Sequence, residues 1–257
     1  MANSHGAFIW HELMTTDMKA AEAFYCNVVG WTCKDMQMPG MDYRIFSAGE
    51  TMTAGLMNIP DEAMKMGAPP SWSGVVCVDD IDAAAGKVRT LGGNVIREPA
   101  EIPGVGRFGV FTDPQGAYFQ MLQPSGPPPA STPPRGTRGR VDWNEFYAID
   151  MDKAFPFYAD MFGWTKGDAL DMGPMGKYQL FNHNDVTIGG IMNKPPNVPV
   201  AAWGYYFQVG DIDAAVARVT AAGGRIVKGP VMVPGDDWIA QGMDPQGAIF
   251  ALVGKRA

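Results

Sequence analysis

The sequence is poor in charged residues, in histidine and in cysteine, and it has no long apolar run. Charged side chains make up 18% of the 257 residues and hydrophobic ones 46%, which excludes a disordered chain and indicates a globular one. No segment approaches the ~20 consecutive apolar residues that cross a bilayer. The first residues lack the charged and apolar regions of a signal peptide, which predicts a cytoplasmic protein.

The charge balance and the few cysteines narrow the possible partners. Lys and Arg total 20 and Asp and Glu 27, a net charge of −7 that argues against nucleic acid or an anionic membrane as a partner. Cys26, Cys33 and Cys77 match no zinc or disulfide spacing. Three unpaired thiols are typical of a protein in a reducing compartment. We interpret the three cysteines as small residues in the core or just below the protein surface.

Proline marks a break near the middle of the chain. Six of the 16 residues in 124–139 are proline, so this segment has little that could anchor a core and is predicted to be a linker. The segments on either side, 1–123 and 140–257, each have the usual size of one domain.

The two segments repeat each other along their whole length. Six of the seven tryptophans fall into matching pairs, which chance explains poorly. The pairs are Trp10 with Trp143, Trp31 with Trp164, and Trp72 with Trp203; further matches are Phe24-Tyr25 with Phe157-Tyr158, Tyr43 with Tyr178, and Asp113-Pro-Gln-Gly with Asp244-Pro-Gln-Gly. The halves are therefore predicted to be copies of one fold.

A shorter unit recurs inside each half. An apolar run is followed by an Asp and an alanine-containing stretch, which predicts a strand, an Asp helix cap and a helix, followed by about three more strands. The four copies begin their helices at Asp17, Asp80, Asp150 and Asp211.

These motifs resemble the vicinal oxygen chelate superfamily, which includes glyoxalase I, extradiol dioxygenases and bleomycin- and fosfomycin-resistance proteins. The resemblance rests on the strand, Asp, helix, Phe-Tyr and Gly-Trp runs in 8–32 and 141–165, and on the Asp-Pro-Gln-Gly turns. It implies an α+β fold of two tandem glyoxalase-like domains. In each domain, two βαβββ modules would form an incomplete β-barrel around a ligand cavity.

In family members that use a metal, the resemblance places His or Gln on the first strand of each module and Glu on the last. Here those positions fall near Trp10, Gly55, Ser73 and Gln120 in the first half and near Trp143, Gly190, Gly204 and Ala251 in the second. Only Gln120 and Ser73 keep a donor oxygen, and neither is charged. A slip of one residue would bring in His11, whose counterpart is Asn144. The sequence therefore predicts cavities without a metal or another cofactor.

Two glutamates are candidates for catalysis. Because strand side chains alternate, Glu12 and Glu145 are predicted to point into the cavities beside Trp10 and Trp143. A carboxylate next to an indole in a partly dry cavity is expected to have a raised pKa and could act as a general base. Alternatively, each Glu accepts hydrogen bonds that hold its strand in place.

Aromatic side chains supply the other candidate function, since they offer rigid apolar surface to planar or hydrophobic ligands. The predicted ligand-binding residues are Trp10, Tyr118, Gln120, Trp143, Tyr206 and Trp238. Trp31 and Trp164 are predicted to lie in the core. Trp72 and Trp203 are predicted to pack between modules or halves.

Three classes of function remain open. The protein binds a small hydrophobic or aromatic molecule, or it is a metal-independent isomerase, lyase or hydroxylase-like enzyme with Glu12 or Glu145 as base, or it presents interaction surfaces on closed cavities. A monomer or a homodimer is expected, and the modules could pair within a half or between halves.

Overall fold

The computed structural model describes residues 4–38, 41–126 and 133–256. The first module contains β1 (Phe8–Thr15), α1 (Met18–Val28), β2 (Thr32–Met38), β3 (Met41–Ala48) and β4 (Thr51–Asn58). A short helix, α2 (Asp61–Lys65), follows it. The second module contains β5 (Ser71–Cys77), α3 (Ile81–Thr90), β6 (Asn94–Ile102), β7 (Gly106–Thr112) and β8 (Tyr118–Pro124).

The second half repeats this order. The third module contains β9 (Val141–Ala148), α4 (Met151–Phe162), β10 (Thr165–Asp171), β11 (Lys177–His183) and β12 (Val186–Asn193), with a 3-10 turn at Gly173–Met175. The fourth contains β13 (Ala202–Asp211), α5 (Ile212–Ala221), β14 (Arg225–Val233), β15 (Asp237–Met243) and β16 (Ile249–Lys255). The predicted succession of strand, helix and three strands is thus confirmed in all four modules.

Each module helix begins at the predicted aspartate. Asp17, Asp80, Asp150 and Asp211 all have extended backbone, and their carboxylates accept hydrogen bonds from N–H groups in the first helical turn. These N–H groups have no partner inside the helix, and the negative charge suits the helix dipole. The four repeats in the sequence are therefore four helix caps.

The strands form two sheets of eight, one from each half. Their orders are β2-β3-β4-β1-β5-β8-β7-β6 and β10-β11-β12-β9-β13-β16-β15-β14. The first strand of the first and third modules runs parallel to the last strand of its own module, and the other pairings inside those modules are antiparallel. The α+β prediction is confirmed, and the sheets are not closed into barrels.

The chain divides into two compact units, and each unit takes modules from both halves. Unit 1 comprises the described residues of 1–9, 73–131 and 143–203, and unit 2 those of 10–72, 132–142 and 204–257. The second module thus joins the third, and the first joins the fourth. The predicted domains 1–123 and 140–257 remain a description of the sequence repeat. Residues 127–132 of the predicted linker lie outside the described residues.

The core of each unit is built largely from aromatic side chains. In unit 1, Trp164 is 3% exposed and its ring stacks on Phe181 at 4.8 Å. In unit 2, Trp31 is equally buried and stacks on Phe46 at 5.1 Å. The prediction that both tryptophans lie in the core is confirmed.

Trp72 and Trp203 hold modules together, as predicted. In unit 2 the ring of Trp72 lies 4.7 Å from that of Phe207, which belongs to the fourth module. Its indole N–H donates to the Tyr25 hydroxyl at 2.8 Å, and that hydroxyl donates to Asp244 at 3.0 Å. This chain ties helix α1 of one module to the Asp-Pro-Gln-Gly turn of another.

Unit 1 contains the equivalent chain. Trp203 donates to the Tyr158 hydroxyl at 3.2 Å, and Tyr158 donates to Asp113 at 3.0 Å. Tyr158 and Asp113 are both almost fully buried. We call these two chains the Trp–Tyr–Asp ties.

The glutamines of the two Asp-Pro-Gln-Gly turns differ in their contacts. Gln115 donates to the carbonyl of Asp150 at 2.7 Å and accepts from the backbone N–H groups of Ile149 and Asp150 at 2.6 and 3.0 Å. The side-chain oxygen of its counterpart, Gln246, is buried and has no hydrogen-bond partner in the part of the chain that the structure describes.

We therefore expect Gln115→Ala to lower the free energy of unfolding by about 1 kcal/mol, because three partly exposed backbone groups at Ile149 and Asp150 lose their partner. Gln246→Ala serves as the matched control and should change it by less than about 0.5 kcal/mol. Urea unfolding of both variants measures the difference. Equal losses of unfolding free energy in the two variants would show that the contacts of Gln115 stabilise the protein no more than those of Gln246.

Candidate functional site

Unit 1 contains a hydrogen-bonded group of Trp143, Tyr178 and Glu145. Trp143 and Glu145 are two residues apart on β9, so both side chains lie on one face of the sheet. The Trp143 indole N–H donates to the Tyr178 hydroxyl at 2.7 Å, and Tyr178 is hydrogen-bonded to the Glu145 carboxylate. Tyr178 is 9% and Glu145 7% exposed, so the group lies in largely dry surroundings.

Unit 2 repeats the group with Trp10, Tyr43 and Glu12. The Trp10 indole donates to the Tyr43 hydroxyl at 2.9 Å, and that hydroxyl donates to Glu12 Oε2 at 3.0 Å. Glu12 is buried, whereas Trp10 and Tyr43 are half-buried. We call the two groups the Trp–Tyr–Glu sites.

A glycine makes room for the phenol in each site. Glu12 lies beside Gly55 across β1 and β4, and Glu145 lies beside Gly190 across β9 and β12. A Cβ atom on Gly55 would overlap the Tyr43 hydroxyl, and one on Gly190 would overlap the ring of Tyr178. Each tyrosine therefore lies across the strand position where a longer side chain would otherwise project.

The phenols of both sites are held in their neutral form. Burial raises the pKa of Tyr43 and of Tyr178 above the ordinary value, and the adjacent glutamate raises each further. At neutral pH a neutral phenol can donate a hydrogen bond to the carboxylate, so each Glu side chain is fixed in one orientation.

The other predicted ligand-binding residues lie on β8, β13 and β15. Tyr206 is buried and accepts a hydrogen bond from Gln241 at 2.8 Å. Trp238 has the Arg256 guanidinium 4.3 Å above its ring. Tyr118 is 58% exposed, whereas Gln120, on the same face of β8, is 1% exposed.

His11 belongs to the core face of β1. It is buried, and its ring lies 5.0 Å from that of Tyr205 in unit 2. Because neighbouring strand residues point to opposite faces, the side chains of Trp10 and Glu12 lie on the other face. Trp10 and Glu12 therefore share a face of β1 that His11 does not, and the ligand role of that face remains a prediction.

The donor set does not fit the divalent ion that metal-using family members hold. Among the described residues, no three His, Cys, Asp or Glu side chains are grouped so that they could hold an ion. Each site offers one carboxylate beside a neutral phenol and an indole, and an indole N–H cannot act as a ligand. Neither site therefore has the ligands that a divalent ion needs, and the absence of an ion from the protein remains a prediction.

Sequence reasoning missed Tyr43 and Tyr178 as members of the sites. The sequence does contain a hint, since both are part of the repeat and are displaced by 135 residues. A tyrosine reaching from β3 or β11 to a glutamate on another strand depends on the strand register. That register cannot be read from the sequence.

Fold and sequence together define the class of this protein. The model of the Glyoxalase/Bleomycin resistance protein/Dioxygenase superfamily matches residues 7–121 and 140–252, and the chain belongs to this family. The resemblance to this superfamily, and the tandem arrangement that it implies, are confirmed. Helices long and apolar enough for a membrane crossing are not found among the described residues.

Named relatives span nearly the full length of the chain. CFP32 of Mycobacterium tuberculosis, which carries a provisional glyoxylase name, is 34% identical over 247 residues, 95% of this chain and 93% of the relative. DauV of Streptomyces sp. strain C5, named an anthracycline biosynthesis protein, is 29% identical over 263 residues, 98% of this chain and 94% of the relative.

Solved structures share the fold at low sequence identity. The 2,2',3-trihydroxybiphenyl 1,2-dioxygenase of Sphingomonas wittichii RW1 has a TM-score of 0.67 and 13% identity, with 98% of this chain and 90% of that chain covered. The Mn(II)-bound glyoxalase of Novosphingobium aromaticivorans has a TM-score of 0.62 and 17% identity, with 99% and 83% covered. At these identities the likeness establishes the fold alone.

Proposed function

We propose that the protein binds a small, planar aromatic molecule at each Trp–Tyr–Glu site, without a metal. The observation that carries this proposal is the recurrence of the same hydrogen-bonded group in both units. If the Glu served only to hold its strand in place, it would need no more than one hydrogen-bond donor beside it. The repeated indole and phenol add rigid aromatic surface, which suits a planar ligand.

The chemistry of the site determines what such a ligand presents. Trp10 and Trp143 are half-buried, so part of each indole remains open to a ring placed against it. The carboxylates of Glu12 and Glu145 are hydrogen-bond acceptors. A ligand with an apolar ring and a hydrogen-bond donor complements both features.

The name of a relative suggests a probe. DauV is named for anthracycline biosynthesis, and anthracyclines contain a planar fused-ring system. We therefore choose an anthraquinone with two hydroxyl groups placed away from the ring carbonyls.

Isothermal titration of the full-length protein with this dihydroxyanthraquinone tests the proposal. We expect two sites per chain, and Trp10→Leu or Trp143→Leu should weaken one of them about tenfold or more, since an aromatic contact contributes roughly 1–3 kcal/mol. Val186→Ala is the control because Val186 is 56% exposed and belongs to neither site. Absence of binding, or unchanged binding in the Trp10→Leu/Trp143→Leu protein, would contradict the proposal.

The second candidate is a metal-independent isomerase, lyase or hydroxylase-like enzyme. It is favoured by the fixed orientation of Glu12, whose carboxylate is held by Tyr43 at 3.0 Å as a general base would need to be. In such an enzyme the carboxylate removes a proton next to a carbonyl group and returns it. Exchange of that proton for solvent deuterium, abolished by Glu12→Gln with Glu145→Gln, would support it; exchange that survives both substitutions would exclude these bases.

We infer a cytoplasmic monomer or homodimer that works without cofactor, nucleic acid or membrane. The free thiols of Cys26, Cys33 and Cys77 support a reducing compartment. Metal analysis of the purified protein is the check on its ion content, and a stoichiometric divalent cation bound by its side chains would contradict the metal-free mechanism.

A further inference from the structure

We infer that the face of β7 and β8 in unit 1 is a ligand contact surface, on which Gln120 accepts a hydrogen bond from a hydroxyl group of an otherwise apolar molecule. This inference rests on the proposed function and makes its ligand class more specific. The face lies on β7 and β8, whereas the Trp–Tyr–Glu group of the same unit lies on β9 and β11, and we take the two as parts of one ligand site in unit 1.

Strand register places one polar side chain in apolar surroundings. Tyr118, Gln120 and Leu122 alternate along β8 and therefore share a face. Across the sheet, Gln120 is flanked by Val110 on β7 and by Val75 on β5. Leu122 is paired with Phe108, so the apolar surface continues along the strands.

The carboxamide of Gln120 is buried and incompletely paired. Gln120 is 1% exposed, and its Oε1 has no hydrogen-bond partner among the described residues. A buried hydrogen-bond acceptor without a partner substantially lowers the stability of a fold, so such groups are rare in proteins unless they have a functional role.

Two comparisons within the chain show that the missing partner is specific to Gln120. Three residues along the same strand, Gln123 accepts a hydrogen bond from the backbone N–H of Ile81 at 3.1 Å. In unit 2 the equivalent of Gln120 is Ala251, and the polar side chains on either side of it, Tyr206 and Gln241, bond to each other at 2.8 Å.

The chemistry of this face selects its ligand. An amide oxygen needs a donor, so an ether or a carbonyl oxygen in its place would be repelled. A neutral amide among valines cannot compensate the desolvation of an ammonium group, whereas a hydroxyl group loses far less on burial. Half-buried Phe108, Val110 and Leu122 provide apolar contact for the rest of the molecule. A hydroxylated aromatic compound meets these requirements.

The test compares the dihydroxyanthraquinone with its dimethyl ether, in which both donors are removed, on the full-length protein by isothermal titration. We expect the hydrogen bond to Gln120 to make the unit 1 site of the wild type prefer the hydroxylated compound about tenfold more than it would without this bond. Gln120→Leu should therefore lower the preference of the unit 1 site about tenfold and leave that of the unit 2 site unchanged. Its melting temperature should stay equal or rise, because the substitution removes the unpaired acceptor.

Gln123→Leu is the matched control on the same strand. It should keep the tenfold preference but melt at a lower temperature, because the Ile81 N–H loses its acceptor. If Gln120→Leu does not fold, Gln120→Met carries an unbranched apolar side chain of similar length and takes its place.

The outcomes separate this inference from the proposed function. Equal binding of both compounds to the wild type overturns the role of Gln120 while the binding function stands. A preference of the unit 1 site that is as large in Gln120→Leu or Gln120→Met as in the wild type also overturns it. Binding of neither compound overturns both proposals.

Discussion

Asp113→Ala is expected to lower the free energy of unfolding by about 3 kcal/mol or more, because three buried donors lose one acceptor and each such loss costs about 1–3 kcal/mol. The Asp113 carboxylate accepts from the backbone N–H groups of Gln115 and Ala117, both at 2.8 Å, and from the Tyr158 hydroxyl at 3.0 Å. Chemical unfolding measures the loss.

The chain offers a repeat and a control for this experiment. Asp244→Ala should cause a similar loss, since Asp244 accepts from Gln246 and Ala248 at 2.9 Å and from Tyr25 at 3.0 Å. Asp168 is exposed on β10, and Asp168→Ala should change the stability by less than about 0.5 kcal/mol. A loss below about 1 kcal/mol in both tie variants would show that the Trp–Tyr–Asp ties do not stabilise the units.

The same aspartates give the stability a defined pH dependence. Burial raises the pKa of Asp113 and of Asp244 above the ordinary value, against the hydrogen bonds that lower it. When the pKa of a carboxyl group is higher in the folded than in the unfolded state, the stability that this group contributes is fully present below the unfolded-state pKa. This stability is lost as the pH rises through the folded-state pKa. The stability of the wild type relative to Asp113→Asn should therefore fall from about pH 4 towards neutral pH. A relative stability that rises over this interval would contradict the sign.

Gly190→Ala is expected to disrupt the unit 1 site and to destabilise that unit. The added methyl group would overlap the ring of Tyr178, which is 9% exposed and cannot move without displacing its neighbours. Overpacking of this kind costs about 1–3 kcal/mol. Since Tyr178 would also leave Trp143 and Glu145, titration with the dihydroxyanthraquinone should show one site per chain in place of two.

Two other glycines calibrate this result. The atoms nearest to the added methyl group in Gly55→Ala are at the hydroxyl end of Tyr43 and at the indole nitrogen of Trp10, and Tyr43 is half-buried, so this substitution should disrupt the unit 2 site at a smaller loss of stability. Gly210 lies on β13, where an added methyl group would have no neighbouring atom within 4 Å, and Gly210→Ala should leave both sites intact. Two intact sites in Gly190→Ala would refute the packing argument.

Much of the fold could be predicted because it is written in local patterns. An Asp that ends a strand and caps a helix requires only a few neighbouring residues, and all four such caps lie where the sequence predicts them. The repeat then multiplies one module into four. Even the packing role of Trp72 and Trp203 follows from side-chain alternation along a strand.

The candidate sites depend on contacts that sequence does not encode locally. Tyr43 lies 31 residues from Glu12, and their hydrogen bond depends on the register of three strands. Nor can the repeat distinguish Gln115 from Gln246, since they occupy identical turns and differ only in what lies opposite them. The roles assigned to Glu12, Glu145 and the aromatic ligand residues remain predictions for the experiments above.

The composition of the two units sets the order in which the protein can be completed during synthesis. Unit 2 begins at Trp10, yet it needs residues 204–257, which leave the ribosome after every segment of unit 1. Unit 1 has all its segments once residue 203 has emerged. The first of the four modules thus finds its partner only after the other two have emerged, and its apolar surface has to be kept from other chains until then.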